Sequence, residues 1–310
     1  MIDVPSSTWF TAPPRWHFYI VFYFFIGGLA GGCYFLAALI DHFGREEDRP
    51  LARLGYYVAF PAVLLSGLLL TLDLSRPFRF WHMLIERNTG QPMFKPWSPM
   101  SVGSWALMVF GFFTFLSFMG ALAEEERVRW PAFSRLRWPF FRAVRPPTIT
   151  GVVIAVLGGI AGLFIAGYTG VLLAVTNRPI WSDTPLLGML FIVSAASTST
   201  ALLILLAHRY GWRSLPGFAA LLRLDRLVLL LELVVLAAVM FSLGPAFRGW
   251  VNGWGLLLLF GVVILGLLVP LALTWRHRAQ AQPNLVMMTT LVLIGGFLLR
   301  LVVIFSSETI

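Results

Sequence analysis

Eight long apolar runs alternate with short polar segments that contain most of the prolines. A run of about 20 apolar residues can cross a bilayer as a helix. The first run is too long for the apolar core of a signal peptide, so we expect a retained helix. The pattern predicts one integral membrane domain over residues 1–310, with the boundaries of the sixth span the least defined. The eight spans are roughly 17–43, 51–73, 101–123, 148–174, 185–208, 226–244, 254–274 and 285–306.

The composition supports an all-α, polytopic membrane helix bundle. Hydrophobic residues make up 58% of the 310 residues and charged residues only 12%, against about 25% charged residues in soluble domains. The net charge of +9 does not indicate nucleic-acid binding, because that requires a basic, water-exposed face. The single cysteine, Cys33, excludes an intrachain disulfide and any Cys-ligated zinc or iron–sulfur centre on this chain.

The basic residues predict an orientation. The connections after spans 1, 3, 5 and 7 carry most of the 23 lysines and arginines, and the 124–147 connection is the richest. By the positive-inside rule these connections face the cytoplasm, and both termini face the outer, periplasmic side. The 74–100 connection is an exception, because it faces outward yet is basic and aromatic. It is either an interfacial aromatic belt or a cap over a site that also docks a partner.

Polar side chains gather at one predicted depth near the outer surface. With a rise of about 1.5 Å per residue, five residues in four spans or just beyond their ends share this depth: Tyr23, Asp73, Tyr168, Arg178 and Arg300. Each alone is compatible with an ordinary interfacial ion pair or aromatic residue, but charges in lipid usually face a partner or a cavity. Glycine stretches at 27–32 and 158–162 predict close packing of spans 1 and 4, which would bring Tyr23 and Tyr168 together.

The remaining ionisable residues suggest proton transfer and not metal binding. Glu232, in the sixth span, lies about two turns from the cytoplasmic edge and either takes up protons or pairs with Arg223 or Arg226. The five histidines lie at span ends or in loops, where a haem between two helices would lack well-matched ligands. We therefore expect no haem and no metal, and we consider His17 and His82 as proton relays near the outer site.

Four stretches from the first five spans resemble the NrfD/polysulfide-reductase membrane-subunit family. They are YFFIGGLAGGCYFLAAL (23–39), SGLLLTLDLSRPFRFWHML (66–84), SPMSVGSWALMVFG (98–111) and YTGVLLAVTNRPIWSDTP (168–185). The Asp-Leu-x-x-Pro-x-Arg-Phe segment after span 2 and the Tyr-x-Gly…Arg-Pro-x-Trp segment after span 4 are the most specific. The later spans match the family only in number and length.

The resemblance implies a haem-free, eight-helix anchor in the bacterial cytoplasmic membrane. Such a subunit exchanges electrons between quinone, either menaquinone or ubiquinone, and a peripheral, ferredoxin-like iron–sulfur subunit with several clusters. That subunit would serve a molybdopterin enzyme or a multihaem cytochrome. In the polysulfide reductase relative, the quinone headgroup lies between residues that match Tyr23 and Tyr168. The relative carries histidine in place of Tyr23 and a polar residue in place of Ile20, so the proton route and one contact differ.

The residues suggest a division of roles in such a site. Tyr23 and Tyr168 would donate hydrogen bonds to the headgroup, and Trp181 would supply an apolar wall. Asp73 would exchange protons, while Arg178 or Arg300 would hold Asp73 ionised or stabilise a negatively charged headgroup. A purely structural anchor for a peripheral complex is an alternative. A secondary transporter is another, although it would favour inverted repeats and broken helices at the midplane.

Overall fold

A computed structural model of the chain describes residues 16–125, 138–276 and 284–307. Its long helices are α1 (Phe18–Phe43), α2 (Arg49–Asp73), α3 (Pro99–Glu125), α4 (Ile149–Ala174), α5 (Leu187–Arg209), α6 (Pro216–Ser242), α7 and α8 (Leu285–Ser306). Helix α7 joins Gly253–Leu256, the π-helical Leu257–Leu268 and Val269–Arg276. Several residues used in the orientation and haem arguments lie outside the described residues: Arg15, Arg127, Arg129, Arg135, Arg137, His277 and Arg278.

The predicted all-α, polytopic membrane bundle is confirmed, with seven or eight candidate spans among the described residues. Seven helices are long and apolar enough to cross a bilayer. Helix α6 is the candidate for the eighth. It bends by 108° into the 3₁₀ segment Gly244–Trp250, and the two segments pass the same test only together.

The predicted start of the sixth span, near residue 226, was wrong, because α6 begins at Pro216. Proline is favoured in the first turn of a helix, where its missing N–H leaves no hydrogen bond unmade. The next N–H, that of Gly217, donates to the Asp48 carboxylate at 2.7 Å. Arg223, Asp225 and Arg226, which suggested a loop, therefore lie inside the first turns of the helix.

Successive long helices alternate in direction, so the start of one helix and the end of the next lie at the same surface of the bundle. The starts of α1 and α3 and the ends of α2 and α4 line one shared cavity. We call this end of the bundle, which also carries the 74–100 segment, the cap end. The other end, where Asp41, Glu124 and Arg145 meet, is the opposite end.

Helix α1 lies at the centre of the bundle and separates it into two halves. At Gly31 an added methyl group would meet the carbonyl oxygen of Gly162, so α1 and α4 pack backbone to backbone. The predicted close packing of spans 1 and 4 is confirmed. Gly27 faces Ser66 of α2, whereas Gly28 faces Arg300 of α8. One face of α1 therefore contacts α2–α4, and the other face contacts α5 and α8.

Candidate functional site

A cavity of about 420 Å³ lies at the cap end between α1, α2, α3 and α4. This volume falls within the range of about 300–1,000 Å³ that is usual for small-molecule sites. Three of the predicted site residues line it, namely Tyr23, Asp73 and Tyr168. Most of the remaining lining is apolar and includes Ile20, Val63, Leu64, Leu70, Leu107, Met108 and Leu172.

Tyr23 supplies the cavity with a hydroxyl group that has no partner in the part of the chain that the structure describes. Its side chain is buried, with 3% of its surface exposed, and its ring packs edge-on against Phe24. Among the described residues we find no hydrogen bond to its hydroxyl, although the side chain lines the cavity. Tyr23 and Tyr168 both line the cavity. Within the described ranges, the cavity therefore contains an uncommitted donor in a largely apolar setting.

Tyr168 is held in place by the start of α3. Its hydroxyl donates to the Pro99 carbonyl at 2.5 Å, and its ring stacks on Phe164 with centroids 5.7 Å apart. Gly103 of α3 leaves the room that the phenol occupies, because an added methyl group would collide with it. Gly103, in the stretch SPMSVGSW, thus provides the space that Tyr168 occupies at this wall of the cavity.

Replacing Gly103 with alanine is expected to displace Tyr168 and destabilise the protein by about 1–3 kcal/mol, the usual range for overpacking. The thermal unfolding temperature in detergent measures this. Gly111→Ala is a matched control, since its added methyl would meet only Val63 Cγ1, at 3.9 Å. Equal unfolding temperatures for the two variants would show that Tyr168 is not fixed by Gly103.

Among the described residues, Asp73 pairs with a histidine and with no arginine. Its Oδ1 lies 3.0 Å from Nδ1 of His17, and His17 is mostly exposed, with 69% of its side-chain surface accessible. The sequence had suggested Arg178 or Arg300 as the partner of Asp73. The observed pair connects the cavity lining to the surface of the cap end.

His82 does not line the cavity, although its neighbours in the 3₁₀ segment Pro77–Met83 do. Phe80, Met83 and Leu84 form part of the wall, so the 74–100 segment covers the cavity. The ring of His82 lies against Trp81, with centroids 3.9 Å apart. Its Nε2 is buried and has no hydrogen-bond partner among the described residues.

Arg178 and Trp181 lie in the corner between α4 and α5. This corner packs against the end of α8. The indole N–H of the buried Trp181 donates to the Val303 carbonyl at 2.7 Å, and the Arg178 guanidinium lies 5.8 Å from the indole centroid. Ile180 adopts a positive φ of 68°, which is strained for a β-branched residue. This strained corner fixes Trp181 in the core, so neither Trp181 nor Arg178 lines the cavity.

Arg300 and Glu232 form a second buried polar cluster, on the other face of α1. The guanidinium of Arg300 donates to the Phe24 carbonyl at 3.1 Å, to Ser194 Oγ at 3.1 Å and to the Gly296 carbonyl at 2.7 Å. Ser197 donates to the Glu232 carboxylate, which Ser194 also faces. Neither Arg300 nor Glu232 lines the cavity. Depth alone had placed Arg300 with Tyr23, because the sequence does not show which face of α1 each helix contacts.

Other residues of the cavity were not singled out from the sequence. Gly67, Thr71, Gly103 and Ser104 all line it, and they are small residues within stretches that otherwise resemble ordinary apolar spans. Their spacing on α2 and α3 carries no signal until the facing helices are known. In the described part of the chain, no group of three or more His, Cys, Asp or Glu side chains could hold a metal ion.

Comparison with known proteins places the chain in a family. Residues 10–310 match the family described as Polysulphide reductase, NrfD. The chain is 27% identical over 312 residues to the C component of the polysulfide reductase of Wolinella succinogenes, covering 95% of this chain and 94% of that protein. It is 28% identical over 100 residues to the C component of the selenate reductase of Mesobacillus selenatarsenatis. That match covers 32% of this chain and only 21% of the relative. The chain therefore belongs to the NrfD polysulphide reductase family of membrane proteins.

Proposed function

We propose that the chain is the membrane anchor and quinone-reactive subunit of a respiratory oxidoreductase, with the quinone headgroup in the cap-end cavity. The observation that carries this proposal is the buried Tyr23, which lines a largely apolar cavity and whose hydroxyl has no hydrogen-bond partner among the described residues. A quinone ring needs hydrogen-bond donors at its carbonyl oxygens and an apolar enclosure. The two relatives, which are components of a polysulfide reductase and a selenate reductase, agree with a role in a reductase complex.

The residues of the cavity fit a quinone, which would supply two-electron redox chemistry when bound. Tyr23 would donate to one carbonyl oxygen, and Tyr168 would donate to the other by turning its hydroxyl from Pro99. The pair of Asp73 and His17 would exchange protons between the cavity and the cap-end surface. Leu64 of α2 and Met108 of α3, which line the cavity and are also exposed, would hold the isoprenoid tail.

The 74–100 segment is the docking surface for a peripheral iron–sulfur subunit in this proposal. Phe78 and Trp97 are 94% and 77% exposed, and four basic residues of the segment are exposed: Arg76, Arg79, Arg87 and Lys95. Aromatic and basic residues in one exposed patch favour an acidic protein partner. Because the same segment walls the cavity, a cluster docked here would lie near the headgroup. The partner in turn would serve a molybdopterin subunit or a multihaem cytochrome.

The proposed orientation of the chain in the membrane follows from the arrangement of its helices and from the distribution of its arginines. Eight helices cross the bacterial cytoplasmic membrane, with α6 and its bent extension as the sixth span. The cap end and both termini face the periplasm, and the quinone is menaquinone or ubiquinone. Arg178, Trp181 and Arg300 then stabilise the cap-end half of the bundle through the contacts described above, without touching the headgroup.

A titration of the purified chain with a quinol analogue tests this proposal. We expect Tyr23→Phe and Asp73→Asn each to weaken binding about tenfold, or 1.4 kcal/mol, because the first removes a hydroxyl donor and the second replaces an ionisable carboxyl group with a neutral amide. Tyr19→Phe serves as the control, since Tyr19 is exposed and does not line the cavity. Unchanged binding in both cavity variants would place the quinone elsewhere. No binding by the wild-type chain would favour a purely structural anchor.

A further inference from the structure

The lining of the cap-end cavity includes a carboxyl group but no basic side chain. Among the described residues, Asp73 is the only aspartate or glutamate that lines the cavity, and no lysine, arginine or histidine does. Negative charge that develops on a headgroup during reduction would be costly in so apolar an enclosure. Any positive charge that offsets this cost must therefore act from outside the lining.

A buried positive charge lies behind one wall of the cavity, across the backbone of α1. Arg300 of α8 is fully buried, and its Nε donates at 3.1 Å to the carbonyl of Phe24, the residue after Tyr23. A methyl group added at Gly28 would lie 3.0 Å from Arg300 Nη2. A methyl group added at the adjacent Gly27 would lie 3.5 Å from Tyr23 Cε2. Because neighbouring Cα atoms are about 3.8 Å apart, the guanidinium lies on the order of 10 Å from the Tyr23 ring.

The surroundings of Arg300 leave its charge weakly screened. Its hydrogen bonds go to neutral groups, namely two backbone carbonyls and Ser194 Oγ. The ring of Phe191 lies beside it, with the centroid 5.3 Å from Cζ. Within the described ranges, no carboxylate forms an ion pair with it. Arginine keeps its proton in proteins, and a buried charge is screened much less by salt than an exposed one.

Glu232 supplies an opposite charge, but farther from the cavity. Its helix, α6, packs mainly against α5, whereas α8 packs directly against α1. The Glu232 carboxylate accepts a hydrogen bond from Ser197 of α5. Arg300 contacts Ser194, one turn of α5 away. The two charges therefore form a dipole whose positive end lies against α1 and faces the cavity.

We propose that Arg300, acting across α1, makes the cavity favour a negatively charged headgroup over a neutral one, and that Glu232 weakens this preference. The inference rests on the proposed quinone site. Arg300 does not touch the headgroup, so its effect is electrostatic, from a charge that is already in place and needs no rearrangement. Two unit charges about 10 Å apart, at an effective dielectric constant of about 20, change an equilibrium constant roughly tenfold.

The test compares two analogues on the purified full-length chain by isothermal titration. One is a hydroxynaphthoquinone, which is ionised at neutral pH, and the other is a methylnaphthoquinone, which is neutral and of nearly the same size. We expect Arg300→Gln to weaken binding of the ionised analogue about tenfold and to leave binding of the neutral analogue unchanged. Arg300→Lys keeps the charge and should keep most of the preference.

Two further variants check the sign and the distance dependence of the effect. Glu232→Gln removes a negative charge, so it should strengthen binding of the ionised analogue, by about threefold because this charge is farther away. Arg248→Gln is the matched control. Arg248 is exposed, so water and salt screen its charge, and the variant should bind both analogues as the wild-type chain does.

The outcomes separate the charge preference from the quinone site. An equal loss of affinity for both analogues in Arg300→Gln would show a purely structural role and overturn the inference, and so would unchanged binding of the ionised analogue. If Arg300→Gln does not fold, Glu232→Gln decides, because unchanged or weaker binding of the ionised analogue overturns the inference. Failure of the wild-type chain to bind the neutral analogue would overturn the proposed quinone site and the inference together.

Discussion

Replacing Gly67 with phenylalanine is expected to weaken quinol-analogue binding at least about a hundredfold, or 2.8 kcal/mol. Gly67 lines the cavity, and a Cβ added there would meet no atom within 4 Å. The Cβ of phenylalanine therefore fits at this position, and we expect its ring to fill the space that the headgroup needs. Isothermal titration of the purified variant measures the change in affinity.

A second glycine offers a matched control for this change. A Cβ added at Gly253, at the start of α7, would also meet no atom within 4 Å, and Gly253 does not line the cavity. Gly253→Phe should therefore bind the analogue with wild-type affinity. Both variants should unfold near the wild-type temperature. Wild-type affinity in Gly67→Phe would mean that the quinone does not occupy this cavity.

Replacing Arg145 with glutamine is expected to destabilise the protein by about 3–5 kcal/mol, the usual cost of removing one partner from a buried ion pair. Burial lowers the pKa of Arg145, but Asp41, Tyr56 and Glu124 raise it above its ordinary value. The guanidinium therefore stays charged, and the variant leaves the buried Asp41 carboxylate without its counter-ion. Thermal unfolding in detergent measures the loss.

Two further variants test whether this loss comes from the buried pair. Arg49 contacts the same Glu124 at 3.3 Å but is more exposed, so Arg49→Gln should change stability by no more than about 1 kcal/mol. The double variant Asp41→Asn with Arg145→Gln should recover part of the loss, because neither charge is then buried alone. A double variant as unstable as the sum of its single changes would show that the two residues act independently.

The sequence predicted the helices well because the lipid imposes a strong pattern. Seven of the predicted spans coincide with helices to within a few residues, since about 20 apolar residues are needed for each crossing. The start of α6 was misplaced because its first turns carry charges that resemble a loop. The Asp48 carboxylate, which accepts a hydrogen bond from the first turn of α6, lies in the connection between α1 and α2. The local sequence of α6 therefore does not show this contact.

The candidate site was only partly predictable from the sequence. Depth follows from counting residues along a helix, and it correctly suggested that Tyr23, Asp73 and Tyr168 lie at one end. The face of each helix depends on its neighbours, so depth could not separate Tyr23, which lines the cavity, from Arg300, which contacts Phe24 on the other side of α1.

Photolabelling with an azido-quinone, followed by peptide mapping, tests the central claim most directly. If the headgroup binds in the cap-end cavity, the label should fall on residues 63–74 of α2 and 100–111 of α3, and an excess of unlabelled quinone should remove it. Gly67→Phe should lose this labelling, and Gly253→Phe should keep it. Labelling confined to α5–α8 that unlabelled quinone removes would contradict the account, because it would place the quinone on the other side of α1.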